Sequence, residues 1–338
     1  MAPKKTSSKR ARTGLEGSSS GDVPFDNQRF RTLEHQQRFE VIKNWSFLRE
    51  RKVQLMDTEY PDFTSELHRR RWSQLANPAH KFDPTIVLEF YANAWPVQEG
   101  TRDKRSYVRG QWIPYDADAI NQLLGNPLHL EEGQLCEFQT RRNIHTGFND
   151  QELIQVLYIP GTDFAKSVTG NRVRLMRANM NTLTQIWMAF LLSNILPSDH
   201  NSDLPMPKCQ LVFSCISQIS VDVAQIISDA THQFVILEPP KHPLNPEKAN
   251  RALGFPALIT ALCQFYNIQV QPSKIIRPPL NRAFIEKYCL ARQVSEQQQP
   301  TQPASMDSVT AHLQRIELQM HTYMQHLADQ QAANHRGQ

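Results

Sequence analysis

The chain has 338 residues, 40% of them hydrophobic, with 37 Lys and Arg against 33 Asp and Glu for a formal charge of +4. That apolar share can fill a core and excludes a wholly disordered chain. The longest apolar run, "IWMAFLL", is far below the ~20 residues of a membrane-spanning helix. Nor does the N-terminus carry the apolar region of a signal peptide, so a soluble intracellular protein is expected.

Residues 1–26 are polar, basic and rich in Ser and Gly, which predicts a disordered tail. Lys4, Lys5, Lys9, Arg10 and Arg12 cluster there with no acid between them. Such a cluster suits a nuclear import signal or a nucleic-acid arm, and equally a merely solvated tail. From residue 27 the composition changes. Phe39, Ile42, Trp45 and Leu48 recur at helical intervals among charges, predicting a helix through "NWSFLRER". "YPDFTSELHRRRWSQLANP" is read as a second helix. Arg71 falls on its apolar stripe, so either that side chain is paired inside or the helix breaks there.

"FDPTIVLEFYANAW" starts with a capping Asp83 and with Pro84 at the first helical position, and Ile86, Val87, Phe90, Tyr91 and Ala94 form a face. In "SYVRGQWI", Gly110 separates two short β-prone pieces and predicts a small hairpin. "YDADAINQLLGNP" reads as a helix capped by Asp116, with Asp118 at the positive end of its dipole and Gly125 and Pro127 as its stop.

A short helix follows around "NDQELIQVLYIP", then a long apolar one over "RLMRANMNTLTQIWMAFLLSNILP", ended by Pro197, and a loop over "SDHNSDLPMPK". Val212, Ile216, Ile219, Val223, Ile226 and Ala230 make a buried helical stripe, divided near Ser220. After the proline-rich "EPPKHPLNPEKANR" come a central helix in "ALGFPALITALCQFYNI" and a short one in "NRAFIEKYCLA". The expected fold is mainly α: a multi-helix globular domain over residues 27–292 with one small β-hairpin.

Residues 293–304 have the composition of a Gln/Pro linker. In the segment 305–333 beyond it, Met306, Val309, Leu313, Ile316, Met320, Tyr323 and Leu327 occupy successive a and d positions of a heptad. That predicts a coiled-coil-like helix and a homo-oligomer; a lone amphipathic helix docked on the domain is the other reading.

Chemistry-bearing motifs are scarce. No glycine-rich phosphate loop or G-x-S-x-G elbow occurs. The cysteines, Cys136, Cys209, Cys215, Cys263 and Cys289, have neither C-x-x-C nor zinc-finger spacing and read as small buried thiols. No metal or cofactor is expected. Asp103, Asp116 and Asp118 are the acids a transposase or nuclease would use to hold metal ions. Basic clusters remain: "HRRRW" with Arg69 and Arg70, "RDKRSYVR" with Arg105 and Arg109, and "NRVRLMR". Arginine beside Tyr or Trp can hold phosphates and stack on bases, although solvated helix faces have the same composition.

Four motifs in order, "VLEFYANAW", "YVRGQWIPYDADAINQLLG", "TQIWMAFLLSNILPSDHNSDLP" and "GFPALITALCQFYNI", resemble the plant family known as putative plant transposon proteins, over roughly Asn44 to Tyr288. The "AINQLLGNP" part is also distantly similar to the plant mobile domain. The resemblance implies descent from a plant transposable element of retrotransposon type and brings no catalytic residues. Together these readings lead to a non-catalytic element protein, gag-like or accessory, self-associating, nuclear or otherwise cytoplasmic, with RNA or DNA as partner. The alternatives are a transposase or nuclease, and a domesticated protein-interaction module that binds no nucleic acid.

Overall fold

A computed structural model describes residues 24–96, 103–125, 127–144, 146–238 and 251–291. The chain divides into Met1–Ala291 and Arg292–Gln338, and the description below concerns the first unit. The basic cluster Lys4–Arg12, the Gln/Pro linker and the heptad positions Met306–Leu327 lie outside the described residues.

After α1 (Leu33–Ile42) the chain forms two short strands, β1 (Ser46–Leu48) and β2 (Arg51–Gln54). The helix expected to run through Trp45 and Leu48 therefore stops at Ile42. Trp45 and Leu48 are still buried, as the apolar spacing required, but Leu48 sits on a strand. Helix α2 (Pro61–Arg69) ends in a break at Arg71, whose φ of 57° is left-handed. Arg71 is exposed there, which decides between its two readings, and α3 (Ser73–Ala76) follows.

Strand β3 (Lys81–Phe82) leads into α4 (Pro84–Ala94), where Asp83 accepts from the amides of Thr85 at 2.9 Å and Ile86 at 3.2 Å. The hairpin is present as β4 (Arg105–Val108) and β5 (Gln111–Pro114). Its loop is two residues long, Arg109 at φ 47° and Gly110 at φ 86°. Two positive φ values in succession match the right-handed twist of the paired strands. Helix α5 (Ala117–Leu123) begins at Asp116, whose Oδ1 accepts from Ala119 N at 2.9 Å, and Gly125 follows it at φ 80°.

Three short elements come next: α6 (Glu137–Asn143), α7 (Asp150–Leu157) and β6 (Ala165–Lys166). The expected long helix from Arg174 starts instead as β7 (Arg172–Met176), passes through a 3-10 turn (Arg177–Asn179), and becomes α8 (Thr182–Asn194) only after Asn181 caps it. The expected loop after Pro197 contains β8 (Asp203–Pro205) and the entry to α9 (Met206–Ile216). The stripe from Val212 to Ala230 divides as anticipated, between α9 and α10 (Val223–Val235), with Asp222 capping the second part.

β9 (Ala252–Gly254), α11 (Pro256–Phe265), β10 (Lys274–Ile275), β11 (Arg277–Asn281) and α12 (Arg282–Tyr288) complete the unit. The fold is thus mixed α/β, with twelve α-helices and eleven short strands among the described residues, rather than mainly α with a single hairpin. The additional strands pair over long distances. β1 runs parallel to β9, with Leu48 opposite Gly254; β2 runs parallel to β11; β3 is antiparallel to β10. β6, β7 and β8 form a three-stranded antiparallel sheet. At Gly254 an added Cβ would come within 2.3 Å of the Phe234 ring, so only glycine lets these elements approach so closely.

The helix faces meet in one apolar core. Phe63 on α2 packs edge-on against Trp187 on α8, centroids 4.7 Å apart, with Trp72 and Phe190 beside them. α4 lies against α1, the hairpin and α11. Buried charges close several helix ends from other elements. Arg70 donates to the carbonyls of Ser214 at 2.8 Å, Cys215 at 3.3 Å and Ile219 at 2.8 Å, covering the C-terminal end of α9. The buried Arg38 donates to Val235 O and Leu237 O at the end of α10.

Candidate nucleic-acid interface

Most of the basic clusters are neutralised within the fold. The Glu66 carboxylate pairs with Arg69 and, at 2.6 Å, with Arg70. Arg70 is buried against Trp72 and α9, so its guanidinium does not face solvent and drops out of the expected phosphate grip. Arg69 remains half-exposed beside the same carboxylate. In the third cluster, Arg172 pairs with Asp150 and Asp163 and Arg174 with Asp203, whereas Arg177, among the described residues, donates only to Gln185 Oε1 and the carbonyls of Asn201 and Tyr288.

The hairpin arginines are ion-paired as well, but they lie beside an exposed indole. Arg105 and Arg109 keep about half of their side chains in solvent, 54% and 47%. Arg109 is anchored by Glu89 of α4, a fully buried carboxylate that accepts from Arg109 N at 2.9 Å and pairs with Arg109 Nε and Arg29 Nε, each at 3.1 Å. Asp103 chelates Arg105 at 2.8 and 3.0 Å, and the Arg105 guanidinium holds the Asp103 carboxyl below its ordinary range. On β5, Trp112 is 42% exposed. Its ring centre lies 4.6 Å from the Arg31 guanidinium carbon, 5.1 Å from that of Arg105, and 5.7 Å from the Tyr107 ring. An exposed indole with two guanidinium groups on it offers stacking surface and positive charge in one place. Arg31 was not foreseen in the sequence, because it reaches Trp112 only after α1 docks on α4.

The three acids considered as metal ligands have local partners instead. Asp116 caps α5, Asp103 holds Arg105, and Asp118 lies in the first turn of α5. Among the described residues no group of three His, Cys, Asp or Glu side chains is placed to hold a metal ion. All five cysteines are buried free thiols.

A cleft of roughly 340 Å³ opens between α3, α5 and α11, lined by Gln74, Asn77, Leu124 and Ala257, with Glu50 in its wall. Phe255 cannot cap α11 with its side chain, and Pro256 has no amide hydrogen. Glu50, from the corner between β1 and β2, supplies the missing acceptor: its carboxylate takes Ala257 N at 3.0 Å and Leu258 N at 2.9 Å. Burial pushes the Glu50 carboxyl up to about 7, against the pull of those two amides.

The fold and site define a mixed α/β body that carries an Arg-flanked aromatic hairpin. Residues 68–269, more than half of the chain, match the family described as "Putative plant retrotransposon-related domain", and the chain belongs to that family. It is a transposable-element-derived protein, as the four motifs implied. No curated protein and no solved structure matches it. No helix among the described residues is long and apolar enough to cross a membrane.

Proposed function

We propose that the chain is a non-catalytic, gag-like or accessory protein of its element that binds single-stranded stretches of RNA or DNA. The observation that carries this reading is Trp112, exposed on β5 with Arg31 and Arg105 against its ring and Arg109 at the hairpin tip. Unpaired bases stack on indole and guanidinium planes, and the neighbouring charges attract the backbone. The basic tail with Lys4, Lys5, Lys9, Arg10 and Arg12 adds sequence-independent attraction and suits nuclear import. The heptads from Met306 to Leu327 assemble copies of the chain, which multiplies weak contacts along one strand.

Fluorescence anisotropy with a labelled single-stranded oligonucleotide tests this over a salt series. Trp112→Ala in the full chain weakens binding by about 1–3 kcal/mol, the value of one stacked base, while loss of residues 1–26 flattens the salt dependence. Binding that is indifferent to both changes rejects the reading and leaves the protein-interaction module.

A further inference from the structure

On another face, Arg51 of β2, Arg177 of the 3-10 turn and Arg277 of β11 line one small pocket of roughly 60 Å³, with Ser193 and Ser198 among its walls. The Arg51 and Arg177 guanidinium groups are held in place by neutral groups. Arg51 donates to Pro278 O at 2.6 Å and lies 4.6 Å from the centre of the Phe284 ring. Arg177 donates to Gln185 Oε1 at 3.2 Å, Asn201 O at 3.4 Å and Tyr288 O at 2.5 Å. Among the described residues the only carboxylate paired with any of the three is Asp199, 2.5 Å from Arg277 and 69% exposed. Arg49 adds a further exposed cation nearby, on Ile275 O.

Three cations around one pocket with one exposed acid leave an excess of positive charge, unlike the ion-paired Arg69, Arg70, Arg172 and Arg174. Burial, and then repulsion from Arg277, pull Arg51 down to about 10. Arg51 therefore stays charged at neutral pH under a strain that an anion would relieve. The small volume of the pocket suits one tetrahedral oxyanion.

We propose that the pocket formed by Arg51, Arg177 and Arg277 binds a single phosphate group, either as free phosphate or as the terminal phosphate of a nucleic-acid strand. The forked guanidinium donors match the oxygens of such a group. Asp199 competes for the same donors and acts as a counter-ion that the phosphate displaces. The site shares no residue with the hairpin, so it stands or falls separately from the proposed function.

Calorimetric titration of the full chain with inorganic phosphate in chloride buffer tests it. The expected result is saturable binding at one site, weakened about tenfold or more by Arg51→Gln, since a charge-assisted hydrogen bond contributes about 1.5–3 kcal/mol. Asp199→Asn removes only an exposed group and strengthens binding severalfold, which a variant that merely misfolded would not do. Competition by a 5′-phosphorylated oligonucleotide, and not by its 5′-hydroxyl twin in the Trp112→Ala background, assigns the phosphate to a strand end. Failure of both to compete assigns it to the free anion. Absence of saturable phosphate binding, or affinity unchanged in both pocket variants, overturns the proposal.

Discussion

Asp116 and Asp118 stand two residues apart and do different things. Asp116 accepts from Ala119 N and closes an otherwise unsatisfied amide at the start of α5. Asp118 lies in the first turn of the same helix, at the positive end of its dipole. Asp116→Ala therefore lowers stability by about 1 kcal/mol, and Asp118→Ala by a few tenths, about 0.3–1 kcal/mol at most. Urea denaturation of the two variants measures the difference; equal losses would mean that Asp116 does not act as the cap. A catalytic pair would be expected to affect activity rather than divide stability in this way. At the same scale, Glu89 shows a buried charge assigned to architecture. It fixes Arg29 and the Arg109 turn to α4, and so holds the hairpin that presents Trp112.

At the scale of elements, helix ends are completed by side chains from elsewhere. Glu50 caps α11, Arg70 covers α9 and Arg38 covers α10. Glu50 gives this arrangement a pH signature. An unfolded Glu titrates near ~4.3, whereas the buried Glu50 keeps its proton up to about 7. Between those values the folded chain binds one proton more than the unfolded chain. The stability from this group is therefore fully present at the acid end and declines as pH rises toward 7, by up to about 1.4 kcal/mol per pH unit. Glu50→Gln, which keeps an acceptor oxygen for the α11 amides, flattens that part of the profile. Denaturation midpoints of both proteins between pH 5 and 8 check it, and parallel profiles would refute it. The same scale explains the errors of element assignment. "NWSFLRER" and "RLMRANM" carry apolar residues at spacings that fit a helix, yet short strands formed because β9, β11 and β8 lie alongside them. Such partners are far away in the chain, and local periodicity does not contain them.

At the scale of the whole molecule, the folded unit is larger than the matched family region. Residues 68–269 include β3 and β9 but leave out their partners β10 and β1, and they omit the β2–β11 pair entirely. They also lack Glu50, which caps α11, and Arg29, which pairs with the buried Glu89. A fragment of residues 68–269 thus retains a buried Glu89 that keeps Arg109 but has lost Arg29, and an uncapped central helix, each costly to leave incompletely satisfied. The expected outcome is a cooperative thermal transition for residues 24–291 and a broad or absent one for 68–269, read by calorimetry. A sharp transition at the same temperature for both would show that the outer strands contribute nothing.

The sequence by itself determined the local events of this protein. Asp83, Asp116 and Gly110 mark helix starts and a turn because a cap or a positive φ depends on a few neighbouring residues. The apolar stripes of α4, α9 and α10 identified the core faces for the same reason. Four motifs in order carried the family. Only the tertiary structure decided which charges face solvent. Arg69, Arg70, Arg105 and Arg109 look alike in sequence, but Arg70 is enclosed by α9 while Arg105 reaches Trp112 beside Arg31. Likewise Arg51, Arg177 and Arg277 converge on one pocket only because β2 pairs with β11 and α8 packs beside them. Charge is local to a residue, but its neutralisation depends on long-range contacts, and those exist only once the chain has folded.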